Sequence, residues 1–267
     1  MAEEAIQPDT TRSGGAQWTE PVDTVLDERV AVVTGASGGI GRELGRRLAR
    51  SGAHLLLTYS GHAQEAGELA EEARGMGRRA ETVHADFADP SAPATVVDAA
   101  LAGFGRVDVL VAAAGAATRA SWEDVDEQLW DETMAVNLRA PFFLAQRALP
   151  GMIGRGFGRI LLFSSVAAFT GGVVGPHYAS SKAALHGLTH YLAGRTAGSG
   201  VTVNAIAPAL IAGTRMLPAA PGNGLPLPVP VGRLGTVEEV ADLSLAMLRN
   251  GYLTDKVIAL DGGLHPN

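Results

Sequence analysis

The sequence predicts a single doubly wound α/β domain on a seven-stranded parallel sheet, for three reasons. From Arg29 onward, short apolar runs alternate with helix-length segments. The runs are unbroken rather than alternating, as strands buried on both faces require. Seven such runs interleaved with helices over about 235 residues leave room for one sheet with helices on both sides. The expected strands are Val30–Thr34, His54–Tyr59, Ala80–His84, Val107–Ala113, Arg159–Ser164, Val201–Ile206 and Val257–Leu260. The expected helices are Gly39–Ser51, Ala63–Met76, Ala92–Phe104, Glu127–Ile153, Tyr178–Ala197 and Val237–Arg249. Residues 28–267 form the domain, and residues 1–27, polar and without periodicity, read as a disordered extension.

Composition narrows the function. The chain has 267 residues, 46% of them hydrophobic, which is ample for a core. A net charge of −7 without a basic block argues against nucleic acid or an anionic membrane as partner. The longest uncharged stretch, Ile160 to Ser181, carries six hydroxyl residues and three glycines, so it reads as strand, loop and helix start rather than a membrane span. With no cysteine there is no disulfide, thiolate metal site or cysteine nucleophile, and the histidines show no ligand grouping. The N-terminal MAEEAIQPDT lacks the basic start and apolar core of a signal peptide, so a cytoplasmic protein is expected. Leu217 to Val231 holds five prolines in fifteen residues. It is too apolar for a linker and reads as a lid.

Two motifs carry chemistry. The first strand runs into Thr34-Gly35-Ala36-Ser37-Gly38-Gly39-Ile40-Gly41, followed by a helix. Strand, glycine turn and helix N-terminus suit a dinucleotide pyrophosphate: glycine admits close backbone approach, and the free N–H groups and helix dipole favour its charge. The second motif is Tyr178-Ala179-Ser180-Ser181-Lys182. Phenol and ammonium at i,i+4 share a helix face, and a nearby cation stabilises phenolate, tuning a tyrosine for proton transfer. Only two lysines exist, Lys182 and Lys256.

With these motifs in this order, the chain resembles the short-chain dehydrogenase/reductases from Arg29 to Gly263, and specifically the 3-oxoacyl-[acyl-carrier-protein] reductase-like branch. The resemblance implies a catalytic set of Asn137, Ser165, Tyr178 and Lys182. Ser165 would hold a carbonyl oxygen, Tyr178 would give the proton, and Lys182 would lower the Tyr178 pKa and hold the nicotinamide ribose. Asn137 would anchor a relay water. It also implies cofactor contacts at Gly35, Ser37, Gly39, Ile40, Gly41, Tyr59, Ser60, Asp86, Phe87, Ala114, Gly115, Tyr178, Lys182, Pro208, Ala209 and Ile211, and no metal. The family's usual assembly implies a homotetramer packed through the helices around Leu138–Ile153 and Tyr178–Ala197.

The departures point to specific consequences. Ala112-Ala113-Ala114-Gly115 stands where relatives have Asn-Asn-Ala-Gly, removing two bracing amides, and Pro208-Ala209 replaces Pro-Gly. Ser199 stands where carrier-dependent relatives have an arginine, which weakens the expectation of a carrier-borne substrate. At the end of the second strand, Tyr59 and Ser60 stand where NAD-users place an acid, so NADP(H) is expected over NAD(H), with Ser37, Ser60 and Arg42 to hold its phosphate. His177 beside Tyr178 is weighed as pocket lining or packing; His54, His62, His84, His186 and His190 read as solvated surface, and Trp122 and Trp130 as local packing. The expected activity is carbonyl reduction on a 3-oxoacyl thioester or similar ketone. The alternatives are a secondary-alcohol or sugar dehydrogenase, or a non-catalytic cofactor-binding protein.

Overall fold

The computed structural model describes residues 25–217 and 228–265. Seven parallel strands, β1 (Val30–Thr34), β2 (His54–Tyr59), β3 (Ala80–His84), β4 (Val109–Ala112), β5 (Gly158–Phe163), β6 (Val201–Pro208) and β7 (Lys256–Leu260), form one sheet. Their order is β3-β2-β1-β4-β5-β6-β7. The chain starts in the middle at β1, works outward to β3, then returns to β4 on the other side. Loops at the carboxyl ends of β1 and β4 therefore diverge to opposite sides and open a crevice, the usual ligand position in such sheets.

Successive strand residues feed two separate cores. Ala31, Val33, Leu55 and Leu57 pack with Leu44 and Leu48 of α1 (Gly39–Arg50), Leu69 of α2 (Ala63–Gly75) and Val240 of α8 (Val237–Arg249). Val32, Leu56 and Leu110 face the other way, onto Val96 of α3 (Ala92–Phe104), Leu144 of α5 (Ala140–Arg155) and Leu185 of α7 (Pro176–Thr196). Helices thus cover both faces, the reason the central strands β1, β2 and β4 are almost wholly buried, while the edge strand β3 (AETVH) keeps Glu81, Thr82 and His84 exposed.

The structure corrects the sequence reading in two places. The long helix expected over Glu127–Ile153 is interrupted: α4 (Glu127–Met134) gives way to a π turn at Ala135–Arg139 before α5 begins. Pro141 supplies a cause, since it has no N–H to return to the Asn137 carbonyl four residues back. The expected extension, residues 1–27, runs three residues too far, because the described chain begins at Val25, and Val25 and Leu26 are buried in the core; residues 1–24 lie outside the described residues. So do residues 218–227, most of the expected lid; of its flanks, Val229 is buried and Val231 exposed.

Candidate active site

The crevice at the carboxyl ends of β1, β2 and β4 is lined by Gly35, Ser37, Gly38, Ile40 and Gly41 of the first turn, Tyr59 and Ser60 after β2, Asp86 and Phe87 after β3, and Ala114 and Gly115 after β4. Ten of the sequence-selected cofactor residues thus share one cleft. The turn is tight enough to need its glycines. Gly35 has φ +68°, and a Cβ there would meet the Ala114 backbone at 3.0 Å. A Cβ on Gly41 would collide with the Gly35 carbonyl oxygen. A backbone this close-packed at the start of α1 fits a pyrophosphate set against bare N–H groups.

Other selected residues lie elsewhere. Gly39 faces the loop after β6 rather than the cleft: a Cβ on it would stand 2.5 Å from the Gly213 carbonyl oxygen. Ala209 and Ile211 line a separate small hollow with Val229, Leu260 and Asp261. The Pro208 carbonyl is occupied by the Val166 N–H at 3.2 Å. The loss of glycine at 209 is absorbed by its neighbour, since Leu210 takes the left-handed turn at φ +52°.

The four expected catalytic side chains converge where β4, β5 and the π turn meet α7. Tyr178 and Lys182 are both buried, one turn apart, with the ammonium 5.8 Å from the phenol ring centre. Lys182 Nζ donates to the Phe163 carbonyl at 2.7 Å. Burial pushes Lys182 down from 10.5 to about 8. Burial also raises the Tyr178 phenol above its ordinary value, while a hydrogen bond to the Ser165 side chain pulls it back. The net direction is upward, because the desolvation of the phenol exceeds the pull of the Ser165 hydrogen bond. Ser165 is held in turn, its Oγ accepting from the Ala167 N–H at 3.2 Å at the start of α6 (Ala167–Thr170).

Asn137 sits in the π turn, fully enclosed. Its Oδ1 accepts from Ala116 N at 2.8 Å, and Nδ2 donates to the Ala116 carbonyl at 2.9 Å and to Ser181 Oγ at 3.0 Å. Ser181 Oγ donates onward to the Tyr178 carbonyl at 2.7 Å. Both amide protons are spent on protein, so Asn137 has no side-chain donor left for a relay water. What it does is tie the β4 loop to α7. The amides missing at 112 and 113 are partly replaced from β1, where Thr34 Oγ1 accepts from Ala114 N at 3.0 Å.

Several neighbours were misread or missed. His186 is not solvated surface: its Nε2 lies 2.8 Å from Ser164 Oγ, which donates to the Lys182 carbonyl at 3.0 Å, and burial lowers its pKa. His54 is likewise engaged, its Nδ1 accepting from Arg79 N at 3.0 Å. His177 is buried against the Thr118 carbonyl at 3.0 Å, a packing residue on the β4 loop. Trp122 is 77% exposed and does not pack locally. Thr58, Val136, Thr214, Arg215 and Met216 line the cleft without having been selected. Arg42, expected at the phosphate, instead pairs with Glu68 at 2.8 Å. Among the described residues there is no group of three His, Asp or Glu placed to hold a metal, and no helix long and apolar enough to cross a membrane.

The family model for short chain dehydrogenases matches residues 29–222. A 2-dehydro-3-deoxy-D-gluconate 5-dehydrogenase of Dickeya dadantii is 33% identical over 89% of this chain and 96% of its own length. An acetoacetyl-CoA reductase of Cupriavidus necator is also 33% identical, over 90% of this chain and 99% of its own. The crystal structure of a blue fluorescent protein from a metagenomic library, in complex with NADPH, superposes with a TM-score of 0.84 at 36% identity, covering 90% of this chain and 99% of that one. A sugar-acid dehydrogenase and a thioester reductase match equally well, so similarity does not single out the 3-oxoacyl reductase branch. The fold, the glycine turn and these matches together make the chain a member of the short-chain dehydrogenase/reductase family of NAD(P)-dependent oxidoreductases.

Proposed function

We propose that this protein is an NADPH-dependent carbonyl reductase acting on a 3-oxoacyl thioester or a similar small ketone. The observation that carries this reading is the convergence of Ser165, Tyr178 and Lys182 beside a cleft floored by the Gly35–Gly41 turn. The turn and the Ala114–Gly115 backbone would hold the dinucleotide, which supplies hydride when bound. Tyr178, buried and above its ordinary pKa, is fully protonated at neutral pH and so is set to donate a proton to a carbonyl oxygen. Ser165, within hydrogen-bond reach of that phenol, orients the same oxygen. Lys182, held at the Phe163 carbonyl, is the one ammonium near the phenol and the group placed to reach a ribose. Asn137 fixes the loop facing them. Because Pro141 offers no N–H to the Asn137 carbonyl, that carbonyl is the atom of Asn137 we assign to the relay water.

The thioester is supported by the similarity to a reductase named for acetoacetyl-CoA. The similarity to the sugar-acid dehydrogenase favours a second reading, oxidation of a hydroxyl on a sugar-like substrate. NADPH rather than NADH is supported by Tyr59 and Ser60 lining the cleft where an acid would repel a 2′-phosphate. We also read the protein as a cytoplasmic homotetramer. The half-exposed Phe143 and Ile153 on α5 and Tyr191 on α7 supply apolar surface for such contacts, and light scattering should return four times the chain mass. A panel of 3-oxoacyl thioesters, cyclic ketones and sugar acids, assayed in both directions with both cofactors, tests the reading. Highest kcat/KM for thioester or ketone reduction is expected; preference for sugar oxidation would replace it.

A further inference from the structure

The cleft as the sequence presents it has hydroxyls for a 2′-phosphate but no cation, and Arg42, paired through Nη2 with Glu68, is not among the residues that line it. The structure brings an unselected arginine there from 178 residues away. Arg215 lies in the loop after β6, lines the same cleft as Ser37, Gly38, Tyr59 and Ser60, and donates from Nη2 to the Ser37 carbonyl at 3.0 Å. That bond uses one of five guanidinium N–H groups. No acidic residue occurs between Pro208 and Val237, and no carboxylate among the described residues pairs with Arg215. The side chain is exposed, tethered at the turn and electrostatically uncommitted.

We propose that Arg215 is the cofactor-selecting residue, its guanidinium gripping the 2′-phosphate of the dinucleotide against Ser37 and Ser60. This rests on the reading of the cleft as an NADP(H) site. Two phosphate positions compete for such a cation, and the surroundings separate them. The pyrophosphate already has the N-terminus of α1, which supplies N–H groups and a positive dipole end. The group at the end of β2 is offered only the Tyr59, Ser60 and Ser37 hydroxyls. A phosphate monoester carries close to two negative charges at pH 7, and the planar guanidinium fork matches two of its oxygens at once. Supplied from the β6 loop, the cation leaves Gly38 free to keep the turn close.

Calorimetric binding of NADPH and NADH to the full-length wild type, Arg215→Gln and Arg215→Lys, with 2′,5′-ADP and ADP as fragments, tests this. Losing a charge-assisted pair should weaken NADPH and 2′,5′-ADP by about 10–100-fold. NADH and ADP should change by less than about twofold, and Arg215→Lys should recover part of the loss because it keeps the charge. Equal weakening of NADPH and NADH would overturn the assignment and place Arg215 at the pyrophosphate. Unchanged NADPH affinity would overturn it outright. Wild type binding NADH more tightly than NADPH would instead overturn the cofactor reading, and it is seen without any variant.

Discussion

Replacing Lys182 by methionine should abolish function and yet stabilise the fold, because this lysine is held in a place that disfavours its charge. Its pKa falls from 10.5 to about 8 through burial. At 1.36 kcal/mol per pKa unit, that is about 3 kcal/mol of cost in the charged form at pH 7. Methionine has similar length, fills the same slot and carries no charge. It loses the hydrogen bond to the Phe163 carbonyl, about 1.5 kcal/mol for a charged donor. The difference leaves Lys182→Met more stable by about 2 kcal/mol at pH 7. The pH dependence follows from the direction of the shift. Between about 8 and 10.5 the unfolded chain binds the lysine proton while the folded chain does not. Wild-type stability therefore rises with pH across that window, and the penalty is complete only below it. By pH 9.5 the advantage of the variant should have shrunk to about zero. Urea unfolding of both proteins at pH 7 and pH 9.5 measures this, since every other titration is common to the pair. A variant less stable than wild type at pH 7, or a gap that does not change with pH, would refute the reasoning.

Tyr178→Phe should lower turnover by about 10²–10⁴-fold while leaving dinucleotide affinity and unfolding midpoint nearly unchanged, because the ring keeps its packing and only the proton donor is lost; near-normal turnover would send the search for the donor elsewhere. Asn137→Ala breaks three hydrogen bonds between the β4 loop and α7 and leaves the Ala116 peptide unpaired. It should cost about 2–4 kcal/mol in urea unfolding as well as activity. Tyr59→Asp should move the ratio of kcat/KM for NADPH over NADH, expected at about 10–100 in the wild type, toward NADH by at least about tenfold, because the new carboxylate would repel the 2′-phosphate that Arg215 holds; a ratio that stays put would mean that residue 59 does not face the 2′-position.

The sheet was legible because its signal is local. Val30–Thr34, His54–Tyr59 and Ala80–His84 were bounded to the residue, as were the helices Ala92–Phe104 and Val237–Arg249, while the expected Gly39–Ser51 and Ala63–Met76 each end one residue earlier. The first two strands are largely apolar runs bounded by glycine turns or charge, and the third, Ala80–His84, is a short β-branched-containing edge strand whose polar residues face solvent. The glycine turn and the Tyr178–Lys182 pair were legible for a related reason: each is a short motif whose chemistry depends on spacing within one element. The error over Glu127–Ile153 shows where that reasoning stops. The segment carries two prolines, Pro141 and Pro150, and only the first marks the break; α5 runs on through Pro150, and Pro141 also suits the first turn of a new helix. The break falls at Asn137, the residue whose position matters most in the segment.

What the sequence concealed are relations between elements that only the closed sheet brings together. His186 is half-buried because α7 lays it against the end of β5, where Ser164 waits; nothing in its flanking residues marks that. The burial of Tyr178 and Lys182 was hidden in the same way, since their proximity could be read from spacing but the desolvation of both could not. Arg215 is the extreme case, with 178 residues between it and the carbonyl that holds it. The glycine turn after β1 advertises a dinucleotide in the sequence, but the residue we assign to choosing which dinucleotide sits in the loop after β6. Selection can then change by substitution in that loop while the turn, whose glycines are fixed by contact with Ala114 and Gly35, stays as it is.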